Sequence, residues 1–424
     1  MHCSCRRLSS CDADANGEEL MLLNRRELIA GVAALAPLVV AGRAFAAPLA
    51  GSRMLVVFLR GAYDAANVIA PTGSDFYHAS RPTIGLGKPN PTDPNAPIAL
   101  DADWSLHPAL KDSIFPLWQR KQIAFVPYVG TDDMSRSHFE TQDTIELGQP
   151  TGSHRDYNSG FMARLASVLG QDKPISFTDQ LPLCFRGGPV IPNVALAAVG
   201  SKPAVPPRDA ALIAGMYKGQ HAGANDLGGS VAEGFQVRDT VFRTVNEEMK
   251  AASRGAVSPK GFELSARRIG RLMRDQFNLA FVDVGGWDTH VNQGGAQGYL
   301  ATHIGELGRG LAGFADEIGP LAWRNTTVIV ISEFGRTFHE NGDKGTDHGH
   351  GSIYWVLGGG VNGGRIAGPQ AALSHATLNE GRDLPVLTDY RSLIGGLAAR
   401  QYGLSNERLN SVFPTFKPVD LSLV

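Results

Sequence analysis

Residues 54–67 read MLVVFLRGAYDAAN: six consecutive apolar residues, then a turn that carries Asp64. A strand with one wet face alternates apolar and polar residues, so an unbroken apolar run describes a strand covered on both faces. Four more runs have this form: QIAFVPYV (122–129), LAFVDV (279–284), TVIVIS (327–332) and IYWVLG (353–358). All five read as buried parallel strands. Between them, helical spacing appears over 108–120, 231–252, 262–276 and 300–317. The segment DYRSLIGGLAARQYG (389–403) opens on an Asp suited to capping and closes on Gly403. Buried strands alternating with helices imply an α/β fold, a mostly parallel sheet with helices on both faces.

Open parallel sheets bind ligands beyond the carboxyl ends of their strands, so the residues that follow each run are the informative ones. Asp64 follows the first run; Ser135, Ser137 and His138 follow the second; Asp288 and His290 follow the third. Glu333 and Arg336 follow the fourth, and then comes GTDHGHG (345–351), with Asp347, His348 and His350. In extended backbone residues i and i+2 point the same way, so Asp288 with His290, and His348 with His350, are each placed to grip one ion. Glycines 345, 349 and 351 leave the backbone free to wrap a cation. Mixed carboxylate and imidazole ligands suit zinc, manganese or iron rather than calcium, which takes oxygen shells. Each residue also has a plainer reading. Asp64 suits a turn, Asp288 a helix cap, and Arg136 and Arg336 surface ion pairs. Ser137 with Glu140 forms a capping box, at a helix start that would also bind an anion. His78, His107 and His154 lie in polar loops or at turn edges, and His303 on a helix face.

The chain of 424 residues is 43% hydrophobic, enough for a sizeable core, and with a net charge of -2 and no block of like charges nothing points to a nucleic-acid surface. No run after residue 50 is long and apolar enough to span a bilayer. The stretch NRRELIAGVAALAPLVVAGRAFAAP (24–48) pairs Arg25 with Arg26, continues into an apolar segment interrupted by Pro37, and ends in small residues at Ala44 and Ala46. It reads as a twin-arginine leader, so the chain is expected to pass through the twin-arginine export machinery, residues 1–47 to be removed by a signal peptidase, and the mature chain to be periplasmic or extracellular. Either Met1 or Met21 serves as the start. Cys3, Cys5 and Cys11 precede the leader, leaving Cys184 alone in the mature chain and no internal disulfide. Residues 48–424 are expected to form one domain, with a Pro/Gly-rich insertion or cap over about 150–230.

Together with the leader, FLRGAYDAAN (58–67), RSHFETQD (136–143), GGWDTH (285–290), SEFGRT (332–337) and GTDHGHG occur in one order. This order resembles the exported bacterial family catalogued as domain of unknown function 1501, grouped with the alkaline phosphatase and sulfatase superfamily. The resemblance implies an αβα sandwich with two metal ions at the carboxyl edge of the sheet and a hydroxyl nucleophile. By motif, Asp64 would ligate one metal, and Asp288 and His290 the other together with His348 or His350. Ser137, or else Ser135, would attack the ester, and Arg136 or Arg336 would grip its oxygens. Glu333 would stand where the superfamily has an Asp followed by a His. The chain departs there, because Phe334 follows Glu333, and the spacing in DTH (288–290) is shorter than the superfamily's. The expected function is an exported hydrolase of a small-molecule phosphate or sulfate ester, dependent on one or two divalent ions, zinc or manganese. The alternative is a non-catalytic cell-envelope protein of the same fold with a degenerate or structural metal site.

Overall fold

The structure, a computed structural model, describes residues 51–152, 154–170, 173–196, 207–222, 225–235 and 261–424. The leader expected over residues 1–47 lies outside the described residues. Eight strands form the central sheet: β1 Arg53–Leu59, β2 Ile123–Gly130, β3 Pro174–Phe177, β4 Leu279–Val284, β5 Thr326–Ser332, β6 Ser352–Leu357, β7 Arg365–Ile366 and β8 Thr388–Asp389. Their order is β7-β2-β6-β5-β1-β4-β3, with β8 also paired to β2. β1 lies between β5 and β4 and runs parallel to both.

Alternate side chains of β1 enter two separate cores. Leu55, Val57 and Leu59 pack with Ile269 and Leu272 of helix α3 (Phe262–Asp275) and with Ile304 and Leu311 of α4 (Tyr299–Arg324). Met54, Val56 and Phe58 pack with Phe161 and Leu165 of α2 (Phe161–Leu169), Leu393 and Leu397 of α5 (Tyr390–Tyr402) and Leu409 of α6 (Asn406–Val412). The architecture is therefore the αβα sandwich that the unbroken apolar runs require. Each such buried side chain contributes about 1.5–3 kcal/mol, which makes the central strands the rigid part of the molecule.

Helix ends follow local chemistry. Asp389 caps α5 by accepting a hydrogen bond from the Arg391 N–H, and Gly403 ends it in the left-handed region at φ +63°. The 108–120 pattern divides into a 3-10 turn, Pro108–Leu110, and a short helix, Phe115–Gln119. Of the helix expected over 231–252, only residues 231–235 are described, and these are helical.

Two expectations need correction. The run at 353–358 is not a parallel strand: β6 is antiparallel to both β5 and β2. The connection from β5 to β6, residues 333–351, holds no helix, and without a crossover the chain can only return in the opposite direction. The stretch 150–230 is not wholly an insertion. Residues 161–177 supply a core helix, α2, and the edge strand β3, which pairs in parallel with β4.

Candidate metal centre

The carboxyl ends of β1, β2, β4 and β5 lie at one edge of the sheet. Because β6 is reversed, it begins at that same edge, so GTDHGHG arrives there instead of at the far side. After β1 the chain turns at Gly61, which has φ +113° and sits so close to the Asp288 backbone that a Cβ would lie 2.7 Å from the Asp288 nitrogen. The Gly61 N–H donates to Glu333 Oε1 at 2.8 Å. Helix α1 (His138–Leu147) starts after β2 with Ser137 as its N-cap, the Ser137 hydroxyl accepting from the Glu140 N–H.

Glu333 is fully buried and saturated by donors. His138 Nδ1 and Gln142 Nε2, one turn apart on α1, donate to Oε1 at 2.8 and 2.9 Å, and Ser332 Oγ donates to Oε2 at 2.9 Å. Burial pushes the Glu333 carboxyl up, but these hydrogen bonds outweigh it and hold it below its ordinary value. It is therefore a carboxylate, and a carboxylate can only accept, so Nδ1 of His138 carries the proton. With that proton on Nδ1, the atom the ring can offer a metal is Nε2, on its other side. That atom is buried and has no hydrogen-bond partner among the described residues. His348 is held in the same way: its Nδ1 donates to the Arg136 carbonyl at 2.9 Å, which turns Nε2 toward Asp288 and His290. The two rings are 4.2 Å apart between centroids, and Phe334 stacks on His138 at 5.0 Å.

Both Nε2 atoms face Asp288, each 3.6 Å from one of its oxygens. The ligand atoms of His138, Asp288 and His348 all lie within 4.8 Å of one another. His290 flanks this group, its Nε2 3.0 Å from Asp288 Oδ1 and 3.1 Å from His348 Nε2. Asp347 accepts from His290 Nδ1 at 3.0 Å and so orients that ring. The Arg336 guanidinium, fully buried, donates to Asp288 Oδ1 at 2.7 Å and to the Thr346 carbonyl. Burial pushes Asp288 up, yet Arg336 and the imidazoles outweigh it and hold the carboxyl below its usual range. Burial lowers the pKa of His348, which favours the neutral, ligating form. Two imidazole lone pairs and one carboxylate oxygen, each oriented from behind, are a fitting donor set for a divalent transition metal with an open coordination position.

Other expected residues stand elsewhere. Asp64 is 1% exposed and does not join the cluster: both its oxygens are engaged by Arg81, and one also accepts from Gln293 Nε2 at 2.6 Å. Gln293 in turn accepts from the hydroxyls of Thr289 and Thr346, so Asp64 braces the two segments that carry Asp288 and His348. His350 is also apart from the group. The chain bends at His350, which breaks the two-residue alternation, and the ring is buried with its pKa lowered by desolvation. The Arg136 side chain turns away to Glu380 and Asp383, while its backbone, at φ +53°, supplies the carbonyl that His348 uses. Ser135 bonds locally, to the Thr141 hydroxyl on α1 and the Ser137 N–H. The glycines of GTDHGHG serve backbone packing: a Cβ on Gly345 would lie 2.2 Å from the His290 carbonyl oxygen, and one on Gly349 2.4 Å from the Arg336 carbonyl carbon. Sequence reasoning passed over His138 as a ligand. Its only signal was its place, an imidazole beside Ser137 at one of the strand ends.

Three solved structures that share little sequence with the chain resemble it in part. The solved structure of Ps i-CgsB in complex with k-i-k-neocarrahexaose is 9% identical over 87% of this chain and 75% of that one, with a TM-score of 0.40. Ps i-CgsB alone is 10% identical over the same shares, at 0.38. A protein in the alkaline phosphatase superfamily from Vibrio parahaemolyticus is 13% identical over 72% of this chain and 60% of that one, at 0.29. No curated protein matches. A family model does match, over residues 51–413, nearly the whole of the folded body. The chain therefore belongs to the family described as protein of unknown function DUF1501.

Proposed function

We propose that the protein is an exported, metal-dependent hydrolase of a phosphate or sulfate ester. The observation that carries this reading is the His138, Asp288 and His348 group at the carboxyl edge of the sheet, where Glu333 aims an otherwise unpartnered buried nitrogen at Asp288. A divalent ion held there would polarise the ester and favour ionisation of a hydroxyl that reached it. His138, Asp288 and His348 would hold that ion, with Glu333 and the Arg136 carbonyl fixing the two rings from behind.

Ser137 is the candidate nucleophile. It stands immediately before His138, at the start of a helix whose first N–H groups favour an anionic ester. Among the described residues its hydroxyl has a single hydrogen-bond partner, the weak 3.5 Å cap from the Glu140 N–H, which a bound ester can displace. Arg336 offers a buried positive charge beside the same carboxylate, where it would counter charge on the transferred group. Zinc or manganese suits the nitrogen-rich donor set. Export rests on the leader read from residues 24–48.

The test is a panel of phosphate and sulfate monoesters assayed with protein purified without chelator, beside protein stripped and reloaded with zinc or manganese. Turnover that disappears on stripping, returns with metal and is absent from Ser137→Ala is the expected result. A properly folded, metal-loaded protein that hydrolyses nothing in the panel would sink the proposal in favour of a non-catalytic envelope protein.

A further inference from the structure

We infer that the centre takes one transition-metal ion per chain, not two, and that Arg336 supplies from within the protein the positive charge a second ion would bring. The inference rests on the metal-dependent reading above and fixes what that reading leaves open, the number and type of ion. Among the described residues, His138, Asp288 and His348 are the group of three ligating side chains whose donor atoms share one small volume. The acids that a second ion would need are engaged elsewhere. Asp64 is clamped by Arg81 and Gln293, and Glu333 by His138, Gln142, Ser332 and the Gly61 N–H. Asp347 engages His290 and Asn341 through Oδ1 and stands outside the three-residue group.

Where a second cation would lie against Asp288, the Arg336 guanidinium already does, 2.7 Å from Oδ1. It is locked there: Nε bonds the Thr346 hydroxyl at 3.3 Å and another nitrogen bonds the Thr346 carbonyl. A planar guanidinium fixed at three points is not displaced as a flexible lysine would be. Charge balance agrees. Asp288, Glu333 and Asp347 against Arg336 leave two negative charges, which one divalent ion neutralises and two would exceed. Two of the three donors are imidazole nitrogens, so the ion is a transition metal such as zinc, manganese, cobalt or iron, and not calcium or magnesium, which prefer oxygen shells.

The experiment titrates chelator-stripped full-length protein with Zn2+ and, separately, Co2+ and Ca2+, following heat and the visible cobalt spectrum. The ions retained after gel filtration are then counted by elemental analysis. One equivalent of Zn2+ or Co2+ and no retained Ca2+ is expected. His138→Ala and His348→Ala should each weaken that binding by at least the roughly 10–100-fold typical of losing an orienting partner, with circular dichroism unchanged. Arg336→Lys, which keeps the charge but not the fork, retains one equivalent. Two equivalents in the wild type, retained calcium, no binding at all, or one equivalent that ignores both histidine substitutions would each overturn the inference. The hydrolase reading fails separately, when a chain holding its single ion turns over no ester.

Discussion

The Glu333 carboxylate and the His138 ring meet at 2.8 Å through Nδ1, so that an acid at the end of β5 sets the proton on a ring at the start of α1. Glu333 thereby acts on the metal site from behind the ligand. Glu333→Gln keeps the shape but can present its amide N–H to Nδ1 and flip the tautomer. We expect metal affinity to fall about 10–100-fold, with the fold retained, as measured by competition with a chromogenic chelator.

The same carboxylate makes stability depend on pH. Its folded-state pKa is depressed below the ordinary 4.5. The stabilisation is therefore complete above pH 4.5 and disappears as the pH falls through the lower folded value. Urea midpoints of metal-free wild type and Glu333→Gln should differ by a constant amount at neutral pH and converge below 4.5. A gap that widens in acid would refute the assignment.

Ser137 has two separable duties. As N-cap it should contribute about 1 kcal/mol to stability, so Ser137→Ala should lower the thermal midpoint slightly. As nucleophile it should be indispensable, so the same variant should bind metal at wild-type affinity yet show no turnover. Ser137→Asp restores the cap alone; recovered stability without recovered activity separates the two.

Asp64 and Arg81 form a buried pair. Arg81→Met would strand the Asp64 charge, a change that costs about 3–5 kcal/mol. Chemical denaturation should register that loss. Replacing both residues, Asp64→Leu with Arg81→Met, should recover much of it, and the one-ion stoichiometry should survive, because neither residue ligates the metal.

Cys184 is wholly buried, and desolvation pushes its thiol well above the ordinary value. Peptide-level mass spectrometry should find it unalkylated by iodoacetamide at neutral pH and fully modified in denaturant. Labelling of the native chain would mean that the α2 face opens readily.

The layers of the fold were legible because burial on both faces forces unbroken apolar runs, and β1, β2, β4 and β5 fall within a residue or so of MLVVFL, QIAFVPYV, LAFVDV and TVIVIS. The edge that gathers Asp288, Glu333 and His348 followed from the same runs. The direction of β6 was harder to read, since an apolar run looks alike in either direction; only the helix-free 333–351 connection betrays it. Asp64 misled because its partner, Arg81, is contributed by a separate segment and no local pattern pairs them. His138 was masked by Ser137, whose capping role is a local signal, whereas the ring's role depends on Glu333, 195 residues away.

The reversal of β6 has a consequence for how the centre opens. Glu333, Arg336, Asp347 and His348 all ride on one unbroken segment that leaves the sheet at β5 and rejoins it at β6. A fluctuation that peels this segment away removes one ligand, the orienting acid of another and the fixed cation together. Ion release and segment opening are then a single event, so amide hydrogens across 333–351 should exchange in concert, and slow together when the ion is bound.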